Sequence, residues 1–272
     1  MTFRKILCHW NRRNPACQAS AEALVAELRG ASYEVYDDPR NFASDRPDLL
    51  LLLGGDGFLM ESLRLLDYPP TPVFGVNFGT VGFLMNTREC LHDLVRMIQS
   101  AEFQEEEHPV LEARVDLEDG STDRLLAFND FVIERMTRQS IRLQLYMDDV
   151  PFNHYAGDGF VLSTAAGSTA YNLAAGGPVV HPGIQAIVIT PLYPHRASPF
   201  HSVQFSLLVP LKSRLQLVAD DLPKRSMRLV ADGRQVERVS RALVGDSGRR
   251  VKLLRPLSHL FVKTLTRKFI GG

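Results

Sequence analysis

The chain has 272 residues, 45% of them hydrophobic and 23% charged, and its 31 basic and 31 acidic side chains cancel to a formal net charge of zero. That length gives one large domain or two modest ones, with chain enough to bury a core, and the charge balance argues against nucleic-acid binding by bulk charge. No apolar run approaches the ~20 residues of a membrane helix and nothing resembles a signal peptide; Cys8, Cys17 and Cys90, without a CxxC pair, fit a reduced, cytoplasmic setting.

Residues 5–9 read as a first strand and 15–29 as a helix stopped by Gly30, with Ala16, Ala19, Ala23, Leu24 and Leu28 as its apolar stripe. The polar loop from His9 to Asn14 joins them at a strand's carboxyl end, where open α/β sheets bind ligands; Arg12 and Arg13 read there either as phosphate contacts or as solvated charges. A second strand is expected at 33–36. The stretch from Asp48 to Met60 then dominates the reading. Five leucines, Leu49 to Leu53, run without a polar break into Gly54-Gly55-Asp56-Gly57, as in a strand buried on both faces of a parallel sheet. Phe58, Leu59, Leu63 and Leu66 recur at helical spacing, so a helix is expected to start just past Gly57. Strand, glycine turn and helix N-terminus make a phosphate cradle, because glycines admit a close backbone and free N–H groups favour an anion. A carboxylate at Asp56 would repel phosphate oxygens unless it holds a metal or takes a proton from an attacking hydroxyl, and either role points to phosphoryl transfer. The same four residues also make an ordinary capped turn.

Residues 72–77 read as a further strand, running into the glycine-rich Gly75–Leu84 loop, and Thr87 as the cap of a helix carrying Leu91, Leu94, Val95 and Ile98. The alternation implies a parallel sheet. Glu105-Glu106-Glu107 reads as a solvated connector without a role. From Val110 onward, β-rich runs at 125–134, 141–146, 185–191, 203–209 and 227–230 are divided by turn signals at Asp119-Gly120, Asp148-Asp149, Asp232-Gly233 and Ser247-Gly248, as in an antiparallel β domain. One stretch departs from that pattern. After a strand at 160–162, small and hydroxyl residues crowd Ser163 to Pro178, where Ser168 or Thr169 would cap a short helix stopped by Gly176-Gly177-Pro178. Such a start admits a flat polar ring and its ribose, or serves as a plain connector. The basic segment 261–270 is expected to fold back on the first domain. The eight histidines show no paired-ligand spacing, so no protein metal site is expected, and His181 and His195 read as hydrogen-bonded loop residues.

Taken in order, Gly54–Gly57, the Gly75–Leu84 loop, Asn129-Asp130, the Gly157–Pro178 stretch and Thr190-Pro191-Leu192-Tyr193-Pro194-His195 resemble the NAD kinase family. The Gly157–Pro178 stretch is the most specific match, since Gly-Gly-Asp-Gly is shared with lipid kinases and 6-phosphofructokinases. The resemblance implies an α/β plus all-β chain: an N-terminal Rossmann-like α/β phosphate-donor domain at 1–100, a C-terminal β-sandwich NAD-binding domain at 101–250, and a segment at 251–272 returning to the first. It implies phosphorylation of the adenosine ribose 2′-hydroxyl of NAD to NADP, with Asp56 as general base. Gly54, Gly55 and Gly57 would hold the donor phosphates, and Asp56 and Gly57 would also face NAD. Asn129 and Asp130 would bind its adenosine portion, and Thr169, Ala170 and Tyr171 would line the adenine and ribose pocket. Asp158, Tyr193 and His195 would lie near the nicotinamide end, partly across a subunit interface, while Phe83 and Leu84 would wall the cleft. Mg2+ or another divalent cation with ATP or polyphosphate as donor is implied, as is a homodimer or homotetramer without nucleic-acid or membrane partners.

Three departures from the family pattern stand out. Phe58 replaces a usual Thr, Asp130 a usual Glu one methylene longer, and Ala165, Ala166 and Ala174 stand where Pro, Ser or Thr are typical. Each costs at most one contact of about 1 kcal/mol, and none removes the carboxylate. Two rival readings stay open: a lipid or sugar kinase of the same superfamily, and a non-catalytic NAD(P)-binding sensor marked by Phe58.

Overall fold

The computed structural model describes residues 3–79, 82–196 and 201–270; Thr80 and Val81 of the Gly75–Leu84 loop lie outside the described residues. The chain divides into two compact units, residues 1–108 with 250–272, and residues 109–249. In the first, strands and helices alternate: β1 (Lys5–Trp10), α1 (Pro15–Gly30), β2 (Glu34–Tyr36), α2 (Phe42–Asp45), β3 (Leu49–Gly54), α3 (Asp56–Leu65), β4 (Val73–Asn77) and α4 (Leu94–Ser100). The strands are parallel in the order β4-β3-β1-β2, which places β3 in the interior. Its five leucines are buried on both faces. Leu49, Leu51 and Leu53 share a core with Ile6, Phe74 and the α1 residues Cys17, Ala21, Leu24, Val25 and Leu28, so the helix lies over the sheet by that face. Ala16, Ala19 and Ala23 of the expected stripe are exposed. α1 starts where Asn14 Oδ1 accepts the Cys17 amide at 3.1 Å, with Pro15 pre-set for the first turn.

The second unit is antiparallel. β5 (Phe103–Leu117) leads the chain into it and β15 (Arg234–Pro256) leads it back. Between them come β6 (Thr122–Ala127), β7 (Asp130–Arg135), β8 (Ile141–Met147), β9 (Val150–Gly157), β10 (Gly159–Ser163), α5 (Tyr171–Ala174), β11 (Ala186–Leu192), β12 (Leu207–Pro210), β13 (Leu215–Ala219) and β14 (Met227–Ala231), and α6 (Phe261–Leu265) follows. One run orders β12-β11-β10-β7-β14 and another β9-β8-β13-β15. Phe131, Phe160 and Ile187 of the first run meet Leu143, Leu217 and Val244 of the second in one core, the sheet-on-sheet packing of a β-sandwich.

Several local expectations are revised. The expected strand at 125–134 is two strands, broken at Phe128-Asn129. There the Asp232 carboxylate accepts the amides of Phe128, Asn129 and Asp130 at 2.6, 3.0 and 3.3 Å and takes them out of the ladder. The run at 203–209 pairs only from Leu207, as β12. Ser247-Gly248 is no turn, because β15 continues through it with Gly248 at φ 77°. The helix α3 begins at Asp56 itself, while Thr87 precedes a 3-10 turn at Arg88–Asp93 and its side chain caps nothing. Glu105–Glu107 is not a solvated connector. These residues lie on β5 and pair with Lys252 (2.9 Å), Arg255 (2.7 Å) and Arg250 (3.6 Å) of β15, the opposite-charge match that stabilises neighbouring strands.

Burial predicts where truncation hurts. Leu51→Ala in β3, at 0% exposure, should lower unfolding free energy by about 2–5 kcal/mol in urea titrations. Leu65→Ala, at 58% exposure on α3, should stay within about 0.5 kcal/mol of wild type.

Candidate active site

In the first unit, β3 ends at Gly54 and Gly55 becomes the N-cap of α3, so Asp56 occupies the first helical turn. The carboxylate is half-buried at that turn. Its Oδ2 accepts the Phe83 amide at 2.6 Å and the Leu84 amide at 3.2 Å, while Oδ1 receives the Leu84 amide at 3.3 Å. Oδ1 therefore keeps lone-pair capacity for a further donor. A Cβ at Gly82 would sit 2.9 Å from Asp56 Oδ1 and from Asn77 Nδ2, so glycine is what lets this loop close on the carboxylate. Burial raises the Asp56 carboxyl above its ordinary value; the Phe83 and Leu84 amides and the charges of Arg255 and Lys268 pull the other way. The net effect is a carboxylate more basic than a solvated one, the direction a general base needs. Beside it, the first amides of α3 point outward without helical acceptors and suit phosphate oxygens.

Phe58 lies in the same turn. Its ring stacks on His9 at 4.8 Å, and a Cβ at Gly54 would fall 2.6 Å from that ring. Arg12, left open between two readings, sits 4.8 Å over Trp10 and 3.7 Å from the Asp37 carboxylate.

In the second unit, Asn129 and Asp130 sit at the β6–β7 break. Asn129 O accepts the Thr164 amide at 2.9 Å, while its buried side-chain Oδ1 has no hydrogen-bond partner, as an acceptor awaiting a ligand donor would. Asp130 is buried, and burial followed by the Asp232 charge pushes its carboxyl up to about 7. Tyr171, Leu192 and Tyr193 line a cavity of about 560 Å³ with Ala174, Gly176 and Arg196. Partial burial raises the Tyr171 phenol, with Glu134, Tyr193, Asp130 and Asp158 adding to it, which places these groups in one electrostatic neighbourhood.

Residues 10–108 match the family model for the ATP-NAD kinase N-terminal domain, and residues 128–244 match that for its C-terminal domain. A NAD kinase of Rhizorhabdus wittichii is 34% identical over 249 residues, 88% of this chain and 91% of its own. The chain belongs to the NAD kinase family. Among solved structures, yeast NADH kinase complexed with NADH aligns with a TM-score of 0.86 at 20% identity, covering 100% of this chain and 88% of that one. An NAD kinase from Archaeoglobus fulgidus in complex with ATP aligns at 0.76 with 22% identity, over 96% and 99% of the two chains. At those identities the likeness speaks for the fold.

Against the family expectation, Gly54, Gly55, Asp56, Gly57, Phe83 and Leu84 share one end of the first unit. Phe83 and Leu84 act on Asp56 through their backbone amides; Leu84 is buried, and the Phe83 ring stacks on Phe269 at 5.1 Å. Thr169 and Ala170 are half-buried ahead of α5. Neither Ser168 nor Thr169 caps a helix, because the buried Ser168 hydroxyl donates to Ala165 O at 2.7 Å and accepts the Val180 amide at 3.0 Å. Asp158 is held by Arg135 at 2.7 Å, His195 donates its amide to Ala156 O at 2.8 Å, and Tyr193 is 81% exposed. In the sequence Asp232 is legible only as a turn, Glu106 only as solvated charge and Lys268 only as part of the basic segment 261–270, and Arg255 carries no local pattern. Among the described residues no group of three or more His, Cys, Asp or Glu side chains could hold a metal ion.

Asp130 sets a pH test. Its carboxyl loses its proton near 3.8 when unfolded and near 7 when folded, so the stability present below 3.8 declines as pH rises to about 7 and then levels off. Thermal melts of Asp130→Asn against wild type should show a gap in favour of the variant that is smallest at pH 4 and largest above pH 7.

Proposed function

We propose that the chain transfers a phosphoryl group from ATP to the 2′-hydroxyl of the adenosine ribose of NAD, forming NADP, with Asp56 as general base. Family membership supports the substrate pair; the structural relatives' names carry NADH and ATP. The observation that carries the residue assignment is Asp56 itself, held by the Phe83 and Leu84 amides with Oδ1 taking only the longest of the three contacts, at 3.3 Å.

A ribose hydroxyl is a weak nucleophile. Oδ1 takes its proton as the oxygen attacks the terminal phosphorus and the bond to the bridging oxygen breaks to release ADP, a step such a base speeds by ~10²–10⁴-fold. The amides of the first α3 turn receive the negative oxygens of the donor, and Lys268, whose charge reaches Asp56, offsets repulsion between carboxylate and phosphates. A divalent cation such as Mg2+ would be carried on the donor's phosphates and would neutralise their charge, and no step here depends on it. In the second unit, the orphan Asn129 Oδ1 and Asp130 are assigned the adenosine portion of NAD, Thr169, Ala170 and Tyr171 its adenine and ribose, and Asp158, Tyr193 and His195 the nicotinamide end. A homo-oligomer is carried over from the resemblance alone.

Asp56→Asn should lower NADP formation by ~10²–10⁴-fold in a coupled assay while calorimetry shows NAD binding retained. Equal loss of binding and turnover would make Asp56 a binding residue. NAD should also outperform diacylglycerol and fructose 6-phosphate as acceptor; product from either of those with none from NAD overturns the reading.

A further inference from the structure

The loop that holds Asp56 is itself held. Arg255, 3% exposed near the end of β15, donates from Nη1 to Leu84 O at 2.9 Å, and Leu84 is the residue whose amide reaches Asp56. One residue back, Leu254 O accepts Asn86 Nδ2 at 3.0 Å, and Arg255 Nη1 also reaches Asn86 Oδ1 at 3.5 Å, so residues 84–86 are tied to β15 three times. Arg255 Nε donates to Glu106 Oε2 at 2.7 Å. Burial opposes the Glu106 charge, but His108 and Arg255 outweigh it and hold the carboxyl at about 2, so the pair stays ionised across neutral pH. His259 lies 3.7 Å from the same carboxylate.

We infer that Arg255, anchored by Glu106, is a positioning residue for Asp56: it fixes the peptide that aims the Leu84 amide. This rests on the kinase reading for its consequence, not for its geometry. Arg255 is pinned by its ion pair and by Leu84 O and does not touch Asp56, so it acts through the loop. The other cation whose charge reaches Asp56 is Lys268, on the C-terminal segment, and it is left in place by every variant below. A guanidinium suits the task because its planar fork bonds a carboxylate and a carbonyl at fixed angles, which an ammonium does not.

The test uses the full chain as wild type, Arg255→Lys, Arg255→Gln and the double variant Arg255→Gln/Glu106→Gln. The single Gln change strands a buried carboxylate and is the variant most exposed to misfolding; the double change removes both charges. Two quantities are read against pH: kcat/KM for NAD, and the 13C shift of the Asp56 carboxyl, assigned by its loss in Asp56→Asn. In the double variant the acid limb and the carboxyl midpoint should move up together, since a misaimed Leu84 amide no longer favours the charged form. Plateau kcat should drop ~10-fold or more as aim is lost, with KM for NAD within about threefold. Arg255→Lys should restore the midpoint and kcat only in part, since an ammonium does not hold both partners at fixed angles. An unmoved carboxyl midpoint in a folded double variant, or a rise in KM with kcat unchanged, overturns the inference. Should wild type make no NADP, the kinase reading fails while the carboxyl titration still decides what Arg255 does.

Discussion

A carboxylate held by two backbone amides is the constraint on which the first unit turns. Asp56 stands where a helix start invites an anionic ligand, so an unrestrained acid there would compete with that ligand. The Phe83 and Leu84 amides settle its position without consuming both oxygens. That arrangement requires neighbouring parallel strands, because β3 delivers Asp56 and β4 starts the loop that returns to it. It also requires Gly82, whose missing Cβ leaves room for the approach.

The second unit repeats the device with another outcome. The Asp232 carboxylate also collects backbone amides, from Phe128, Asn129 and Asp130, and there it breaks a strand rather than presenting an acid. Its charge then falls on Asp130, adding to burial and bringing that carboxyl to about 7. The break leaves Asn129 Oδ1 without a partner in a unit where most buried polar atoms have one. Asp130 is thus a buried acid whose proton is set by its surroundings, burial first and the Asp232 charge second.

Much of this was legible in the sequence wherever the signal is local. The Leu49–Leu53 run, the glycine turn and the strand at 73–77 announce themselves, because burial on both faces and tight turns each demand particular residues in a row. What stayed hidden depends on partners far along the chain. Glu106 looks like solvated charge until Arg255, 149 residues away, is seen beside it. Asp232 looks like a turn residue until its carboxylate is found on amides 102 to 104 positions earlier. β15 hid because Ser247-Gly248 imitates a turn, yet a strand absorbs a positive-φ glycine as a local irregularity. Phe58 is the intermediate case: visible as a departure from the family pattern, but explained only by the His9 ring it stacks on and the glycine beneath it.

The most direct measurement is the pair of 1H–15N resonances of the Phe83 and Leu84 amides followed against pH. If those amides hold an ionised Asp56, the Phe83 proton lies downfield, both signals titrate with one midpoint above 3.8 that matches the acid limb of NADP formation, and Asp56→Asn abolishes the titration. Amide signals that ignore both pH and the Asp56→Asn change would contradict the account at its root.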